Sequence, residues 1–312
     1  MYGRSHDCKK GACMKKVLVT GSNGLIGRRI VNKLLDGGNY SVCAVSAGMN
    51  RNTSAGLQFE KADITSFSQM SDVLNRFQPD AVIHTAAMGS PDKCEENRAE
   101  AWKVNVEATA FLAEYCRIHN TYLLHWSTDF VFDGIKGYYT EEDEPNPVSY
   151  YGLTKLESER VVLELCPGAA IFRTMLVYGL YKEMTRPNIL SRVLDCGKEK
   201  RIMRVAADQY RMPTMVDDLA SAVISALVKM PSGLFHFSGD EYLSVYDFVL
   251  RIAGVFGIPE KLFVPVLSSD LNEKAVRPKK TGFVIARAMS ELSYVPTSLN
   301  ESLLKIKQMS GN

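Results

Sequence analysis

Tyr151 and Lys155 stand four residues apart in the run Tyr151-Gly-Leu-Thr-Lys155. On a helix that spacing puts the phenol and the ammonium on one face. A ketone that receives a hydride develops an alkoxide and needs a proton donor at that oxygen. A free phenol has a pKa of about 10 and is a weak acid–base partner at neutral pH unless a cation lowers it. Lys155 is expected to supply that cation. Upstream, Ser127 and Thr128 close an apolar run, and a hydroxyl at a strand's carboxyl end points into the ligand crevice, where it can hold a carbonyl. A hydroxyl of Ser127 or Thr128 thus joins Tyr151 and Lys155 as the candidate reducing apparatus. Tyr150 is a decoy, because Thr154 rather than a lysine lies four residues on.

Hydride chemistry needs a carrier, and one motif supplies its seat. Thr20-Gly21-Ser22-Asn23-Gly24-Leu25-Ile26-Gly27 joins a strand-like run to a helix-like one. Gly21 permits the tight turn, Gly24 admits a pyrophosphate to the backbone, and Gly27 allows close helix–strand packing. Free N–H groups of Asn23, Leu25 and Ile26 at the helix start then meet the phosphates. Just past the third strand, Asp63 and Ile64 are placed to meet the adenine; past the fourth, Ala86 and Ala87 are small enough for the cofactor to lie over the sheet edge. Asn105 is expected to fix a water or backbone group behind Lys155. It is counted with Ser127, Tyr151 and Lys155 among the cofactor's surroundings, where Lys155 also reaches the nicotinamide ribose. The second strand ends Val45-Ser46-Ala47-Gly48 without the acid that grips a ribose 2′-hydroxyl, and Arg51 follows. Ser46 and Arg51 therefore favour NADP(H), with NAD(H) as the alternative; Arg28 or Arg29 is a further candidate for the 2′-phosphate.

These residues need a scaffold that alternates strand and helix. Strands are expected at Lys15 to Thr20, Ser41 to Val45, Leu57 to Ala62, Ala81 to Thr85, Tyr122 to Trp126 and Ala169 to Arg173. Helices are expected at Leu25 to Leu35, Phe67 to Phe77, Glu100 to His119 and from Tyr150 onward. Val17-Leu18-Val19 and Ala81-Val82-Ile83 are apolar on both faces, as buried parallel strands must be. Repeated βα units impose right-handed crossovers, giving an α/β fold with a doubly wound parallel sheet. After Arg173 the alternation loosens: helices at Pro187 to Cys196, Val216 to Lys229 and Val245 to Phe256 flank short strand-like pieces such as Leu234 to Ser238. The expected division is a disordered tail or cloning remnant at 1–13, a dinucleotide-binding domain at 14–173, and a smaller α/β substrate lobe at 174–312 with segments returning to the first domain.

A net charge of +2 and no long basic stripe speak against a nucleic-acid partner. No apolar run approaches a bilayer span, and the polar start lacks a signal-peptide core. Seven scattered cysteines, with Cys8 and Cys13 unmatched by a second pair, fit a reducing cytoplasm and neither a disulfide framework nor a zinc site. His84 and His125 read as satisfied structural residues. The run Glu141-Glu142-Asp143-Glu144 reads as a solvated loop rather than a metal site.

The glycine spacing G-x-x-G-x-x-G is that of short-chain dehydrogenases/reductases. The block Ser127-Thr-Asp-Phe-Val-Phe-Asp-Gly134, then Tyr151-Gly-Leu-Thr-Lys155-Leu, resembles the dTDP-4-dehydrorhamnose reductase family of extended short-chain enzymes. The likeness continues through Arg173-Thr-Met-Leu-Val-Tyr-Gly179, Asp208-Gln209 with Pro213-Thr214, Asp217-Asp218-Leu219-Ala220 and Arg277-Pro278-Lys279, nearly everything after Met14. The resemblance implies a Rossmann-type fold, Thr128, Tyr151 and Lys155 as the catalytic set, a nicotinamide cofactor and a nucleotide-linked 4-keto-6-deoxysugar. It also implies that Val131 and Met175 lie beside the nicotinamide, with Val131 toward the substrate, and that Gln209 and Arg277 line the substrate lobe, the arginine as a diphosphate partner. A homodimer is compatible with this reading.

Two departures stand out. The reductases usually read D-Q-x-G-x-P-T, whereas Arg211 replaces that glycine here, and the tail R-P-x-x-S-x-L-D becomes Arg277-Pro-Lys-Lys-Thr-Gly-Phe-Val. The regulatory subunit of methionine adenosyltransferase is a relative with a similar block, including an arginine before its Phe-Pro-Thr. A non-catalytic binding role therefore stays open beside the reductase, as does a nucleotide-sugar epimerase or dehydratase sharing the Tyr/Lys pair.

Overall fold

Seven parallel strands form the central sheet of the computed structural model, which describes residues 15–181 and 186–311. The tail at 1–13, with Cys8 and Cys13, lies outside the described residues. The strands are β1 (Lys15–Thr20), β2 (Tyr40–Ser46), β3 (Gln58–Lys61), β4 (Ala81–His84), β5 (Tyr122–Thr128), β6 (Ala170–Thr174) and β7 (Gly233–Phe237). Their order is β3-β2-β1-β4-β5-β6-β7. The chain winds outward from β1 in one direction, then crosses to β4 and winds outward in the other. The resulting switch point opens a crevice at the carboxyl ends of β1 and β4.

Period-2 alternation within apolar strands builds a core on each face of the sheet. Val17 and Val19 of β1 pack with Ile30, Val31 and Leu34 of the helix Leu25–Asp36 and with Leu219, Val223 and Leu227 of the helix Val216–Lys229. Leu18 points the other way, into Met70, Leu74, Leu112 and Ala113. Each fully buried valine or leucine contributes about 1.5–3 kcal/mol, so these strands are held from both sides.

A third apolar cluster draws all its residues from position 176 onward. Val193, Val205, Phe248, Ile252 and Leu303 join the helices Ile189–Glu199, Val245–Phe256 and Leu299–Ser310 around the parallel pair Met203–Ala206 and Phe263–Val266. Val216–Lys229, β7 and the helix Ala286–Leu292 pack instead on the central sheet.

Three local features differ from expectation. The Leu234 piece is a full strand, because Phe235 and Phe237 bury against Phe172 of β6. The long helix from Glu100 is interrupted: α-helix Arg98–Trp102 gives way to a π-turn over Lys103–Glu107 before Ala108–His119. Such π-turns recur at functional sites, and Asn105 sits at the centre of this one. In the acidic run, Glu141 is held by the backbone N–H of His236 at 2.8 Å, so the loop is tied down rather than freely solvated.

Candidate active site

The turn after β1 is built around contacts that only glycine tolerates. Gly21 has φ +67°, and a Cβ there would lie 2.6 Å from the backbone nitrogen of Ala86. A Cβ on Gly27 would lie 2.5 Å from the Gly21 carbonyl oxygen. The helix Leu25–Asp36 therefore starts hard against β1 and β4. Its N-cap is Gly24, and no side chain caps its first N–H groups, so they are available to an anion. Gly21→Ala is expected to cost about 1–3 kcal/mol for the forced left-handed backbone and to weaken dinucleotide binding; thermal melting with and without NADPH checks both.

Asn23 closes one end of this cradle. Its side-chain nitrogen donates to Ser46 Oγ at 3.0 Å and to the Met49 carbonyl at 2.8 Å, and its oxygen accepts from the Arg51 N–H at 3.1 Å. Ser46 and Arg51 are thus tied to the glycine turn through the backbone and side chain of the loop that follows β2.

At the other end, Thr128 terminates β5 and Tyr151 opens the helix Tyr150–Leu165. Ser149 caps that helix by accepting from the Gly152 N–H at 3.2 Å. Gly152 is required because a Cβ there would collide with the Phe130 carbonyl oxygen. The Phe130 ring meets the Tyr151 ring edge-on at 5.4 Å. A cavity of about 640 Å³ joins the glycine turn to this corner.

The electrostatics differ from the expectation that Lys155 lowers the phenol. Burial pushes Tyr151 up to about 12, and the Thr128 hydroxyl beside it acts in the opposite direction. Lys155 is 3% exposed and is itself lowered to about 8 by burial, against the pull of Glu159. Its Nζ donates to His125 Nε2 at 3.1 Å. The ammonium thus lies against an imidazole rather than the phenol.

Beneath Lys155 lies a buried charged layer. Arg173 grips Glu159 with two bonds, at 2.6 and 2.9 Å, and Ser127 donates to the same carboxylate. His84 bridges Thr20 and Thr109 at 2.7 and 3.0 Å and is lowered to about 3 by burial, consistent with a neutral structural residue. His125 is lowered well below the usual range by burial and by Lys155. It touches Lys155 and Ser158, a contact that sequence reasoning missed because β5 is apolar on both sides of it.

The cavity collects most of the expected residues. Asn23, Gly24, Leu25, Ile26 and Gly27 line it at the phosphate end; Ser127, Thr128, Tyr151 and Lys155 line the reacting end; Ala87, Met175, Gln209 and Arg277 complete the walls. Gln209 Nε2 and Thr174 Oγ1 are buried without a partner. Arg277 is paired with Asp92 at 3.0 Å and Glu273 at 2.9 Å. Arg186, Asn188 and Arg192 also line it and were not foreseen, since nothing in their spacing marks them.

Other expected residues lie elsewhere. Val131 is fully buried with Phe132, Leu156 and Met212 and is a packing residue outside the cavity lining. Asn105 is also outside it: its oxygen accepts from the Met88 N–H at 2.8 Å and its nitrogen donates to Thr154 Oγ1 at 2.9 Å. It positions the loop after β4 against the Tyr151 helix rather than backing Lys155. Gly21 and Ala86 form the close contact under the turn. Ile64 is buried in the sheet core, and Asp63 caps the following turn by accepting from the Thr65 N–H at 2.9 Å. Ser46 and Arg51 meet the cradle through Asn23. Arg29 pairs with Asp217, whereas Arg28 lines the cavity with its guanidinium 5.2 Å from the Tyr181 ring centroid.

The residues fit a dinucleotide: an uncapped helix start, a cradle that a Cβ would fill, and unpartnered polar atoms at Thr174 and Gln209 facing the same cavity. Comparison with known proteins agrees with this geometry. The profile described as RmlD substrate binding domain matches residues 14–309. A dTDP-4-dehydrorhamnose reductase of Aggregatibacter actinomycetemcomitans is 32% identical over 307 residues, covering 94% of this chain and 99% of that protein. Methionine adenosyltransferase 2 subunit beta of Rattus norvegicus is 32% identical over 270 residues, covering 85% and 79%. The crystal structure of dTDP-4-dehydrorhamnose reductase from Bacillus anthracis in complex with NADP superposes with a TM-score of 0.85 at 26% identity, covering 95% of this chain and all of that one. The chain belongs to the RmlD substrate binding domain family, that of the dTDP-4-dehydrorhamnose reductases.

Proposed function

We propose that this protein reduces the 4-keto group of a nucleotide-linked 6-deoxysugar, most simply dTDP-4-dehydrorhamnose, using NADP(H), with NAD(H) as the alternative carrier. The observation that carries the proposal is the convergence of Thr128, Tyr151 and Lys155 on the cavity opened by the glycine turn. The relatives and the NADP-bound neighbour support it.

The N–H groups at Leu25, Ile26 and Gly27 would hold the pyrophosphate, and the Asn23-anchored loop with Ser46 and Arg51 would face the adenosine ribose. When bound, the nicotinamide supplies the hydride. Thr128 holds the carbonyl oxygen, and Tyr151 delivers a proton to the alkoxide as it forms. Lys155, reaching the ribose, would place a positive charge near the phenol and offset the burial that otherwise keeps it a poor donor. Gln209 and Arg277 would face the sugar and diphosphate. The division into a dinucleotide domain at 14–173 and a substrate lobe at 174–312 is supported by the separate cluster that begins at Leu176, with Val216–Lys229, β7 and Ala286–Leu292 returning to the first domain. No helix among the described residues is long and apolar enough to cross a membrane.

The direct test is absorbance at 340 nm with NADPH and a panel of nucleotide 4-keto-6-deoxysugars; oxidation with at least one is expected, and none with any would overturn the proposal. The pH dependence follows from Lys155. Its ammonium is needed and is lost as pH rises through about 8, while the phenol at about 12 stays protonated. The kcat/KM for reduction should therefore fall about tenfold per pH unit above roughly pH 8. A flat profile to pH 9.5 would remove Lys155 from the mechanism.

The Arg211 departure favours one other reading, a regulatory subunit like the methionine adenosyltransferase relatives. Cofactor binding without turnover, together with stoichiometric capture of a partner enzyme, would decide for it.

A further inference from the structure

The two places where the chain departs from the reductase pattern meet at one carboxylate. Asp129 follows Thr128 directly and is 2% exposed. Its Oδ2 receives Arg211 Nε at 3.1 Å and the Thr281 hydroxyl at 2.5 Å. Its Oδ1 receives the Thr128 hydroxyl at 3.1 Å. Arg211, 4% exposed, spends its other nitrogens on the carbonyls of Tyr210 at 2.7 Å, Lys279 at 3.3 Å and Pro278 at 2.6 Å. The guanidinium thus ties the tail strand Thr281–Phe283 and its approach to the end of β5, and it lines the cavity as it does so.

We propose that Arg211 and Asp129 form a buried positioning pair that fixes the Thr128 hydroxyl, and through it the proton-donating phenol of Tyr151. Two routes lead from Arg211 to the phenol. The first is the hydrogen-bond chain: Asp129, held by Arg211 and Thr281, lies 3.1 Å from the Thr128 hydroxyl, whose oxygen accepts from the Phe130 N–H at 3.3 Å, so the carboxyl group and that N–H together set where the hydroxyl sits at the cavity. The second is packing: the guanidinium lies 5.9 Å from the Phe130 ring centroid, and that ring meets Tyr151 edge-on. The charge balance is local. Facing Asp129 are Arg211, Thr281, Thr128 and Tyr151; beyond Arg211 stand Tyr242, Arg277 and Glu273. Burial raises the Asp129 carboxyl and Arg211 opposes that rise. Without the guanidinium, Asp129 keeps its proton to higher pH, and a protonated Asp129 holds the Thr128 hydroxyl less firmly. Arg211 is a positioning residue here, since it acts through Asp129 and Phe130.

The inference rests on the reduction proposed above, and the test separates the two. Arg211→Met, Arg211→Lys and the double variant Arg211→Met/Asp129→Asn are assayed with NADPH and the keto-sugar across pH 5.5–8. Arg211→Met should lose about tenfold in kcat with an unchanged KM for NADPH, and its rate should climb with pH where the wild-type rate is flat. Arg211→Lys should recover most of the rate. The double variant, with no buried charge to strand, should fold and show a low, pH-independent kcat even if Arg211→Met alone does not fold. A wild-type pH profile and kcat in Arg211→Met, or a pH-independent loss that lysine does not restore, would overturn the pair. If the wild-type protein turns over no keto-sugar, the reduction itself fails and the pair is read by melting. A raised carboxyl favours the folded state only while it is protonated, so the melting temperature of Arg211→Met should fall more steeply than wild type from pH 5 to 8. The double variant should lose that slope; equal slopes in all three would overturn the pair.

Discussion

Tyr151→Phe is expected to lower kcat by about 10²- to 10⁴-fold, the range typical of removing a positioned general acid, while leaving the dissociation constant for NADPH nearly unchanged. The structure explains the asymmetry. The hydroxyl faces the reacting end of the cavity, whereas the ring is held by Phe130 and by the helix start that Ser149 caps. Phenylalanine keeps the ring contacts and removes only the proton donor. Stopped-flow oxidation of NADPH, beside cofactor titration by fluorescence, separates the two effects. A variant that retains more than a tenth of the wild-type kcat would mean that another group, or water, protonates the alkoxide.

The second large effect concerns the charged layer under the site. Glu159→Ala is expected to reduce the free energy of unfolding by about 3–5 kcal/mol, because it leaves the Arg173 guanidinium buried without its carboxylate. Both side chains are almost fully enclosed, at 2% exposure each, so water cannot replace the lost partner. Ser127 loses an acceptor as well. Replacing both partners, as Glu159→Leu/Arg173→Met, should recover much of the loss, since the penalty lies in the stranded charge. Urea denaturation checks this; a change below about 1 kcal/mol in the single variant would show that the site relaxes to admit solvent. The same glutamate raises Lys155 toward its ordinary range, so any folded Glu159 variant should also lose activity at lower pH than wild type.

The fold and the two ends of the cavity were legible because their signals are local. Gly21 and Gly27 are demanded by a left-handed backbone and by approaches of 2.5–2.6 Å, and such demands leave glycines in a fixed pattern. The Tyr151/Lys155 spacing is a property of one helix turn. The doubly wound sheet followed from strands apolar on both faces. What escaped depends on where the chain returns. The π-turn at Asn105 is invisible in a run of ordinary helix formers, so the residue was assigned to the cofactor when its bonds go to Met88 and Thr154. Val131 follows the strand end by three residues, and the turn at Asp129–Val131 directs it into the core. Arg211 and Thr281 read as separate departures in sequence; their shared carboxylate appears only when the tail strand docks beside Gly137–Tyr139. The shift of the phenol is set by burial, and Lys155, whose ammonium lies on His125, is not among the groups that act on it here.

In the proposed reaction a hydride passes from the dinucleotide held at the glycine turn to the carbonyl carbon of a keto-sugar held at Thr128 and Tyr151. Incubation with NADPH carrying deuterium at the transferring C4 position, followed by mass spectrometry and proton NMR of the sugar, follows that atom directly. One deuterium at C4 of the product and stoichiometric formation of NADP⁺ are expected. A rearranged or unchanged sugar without the label, with the cofactor returned in its reduced form, would contradict it.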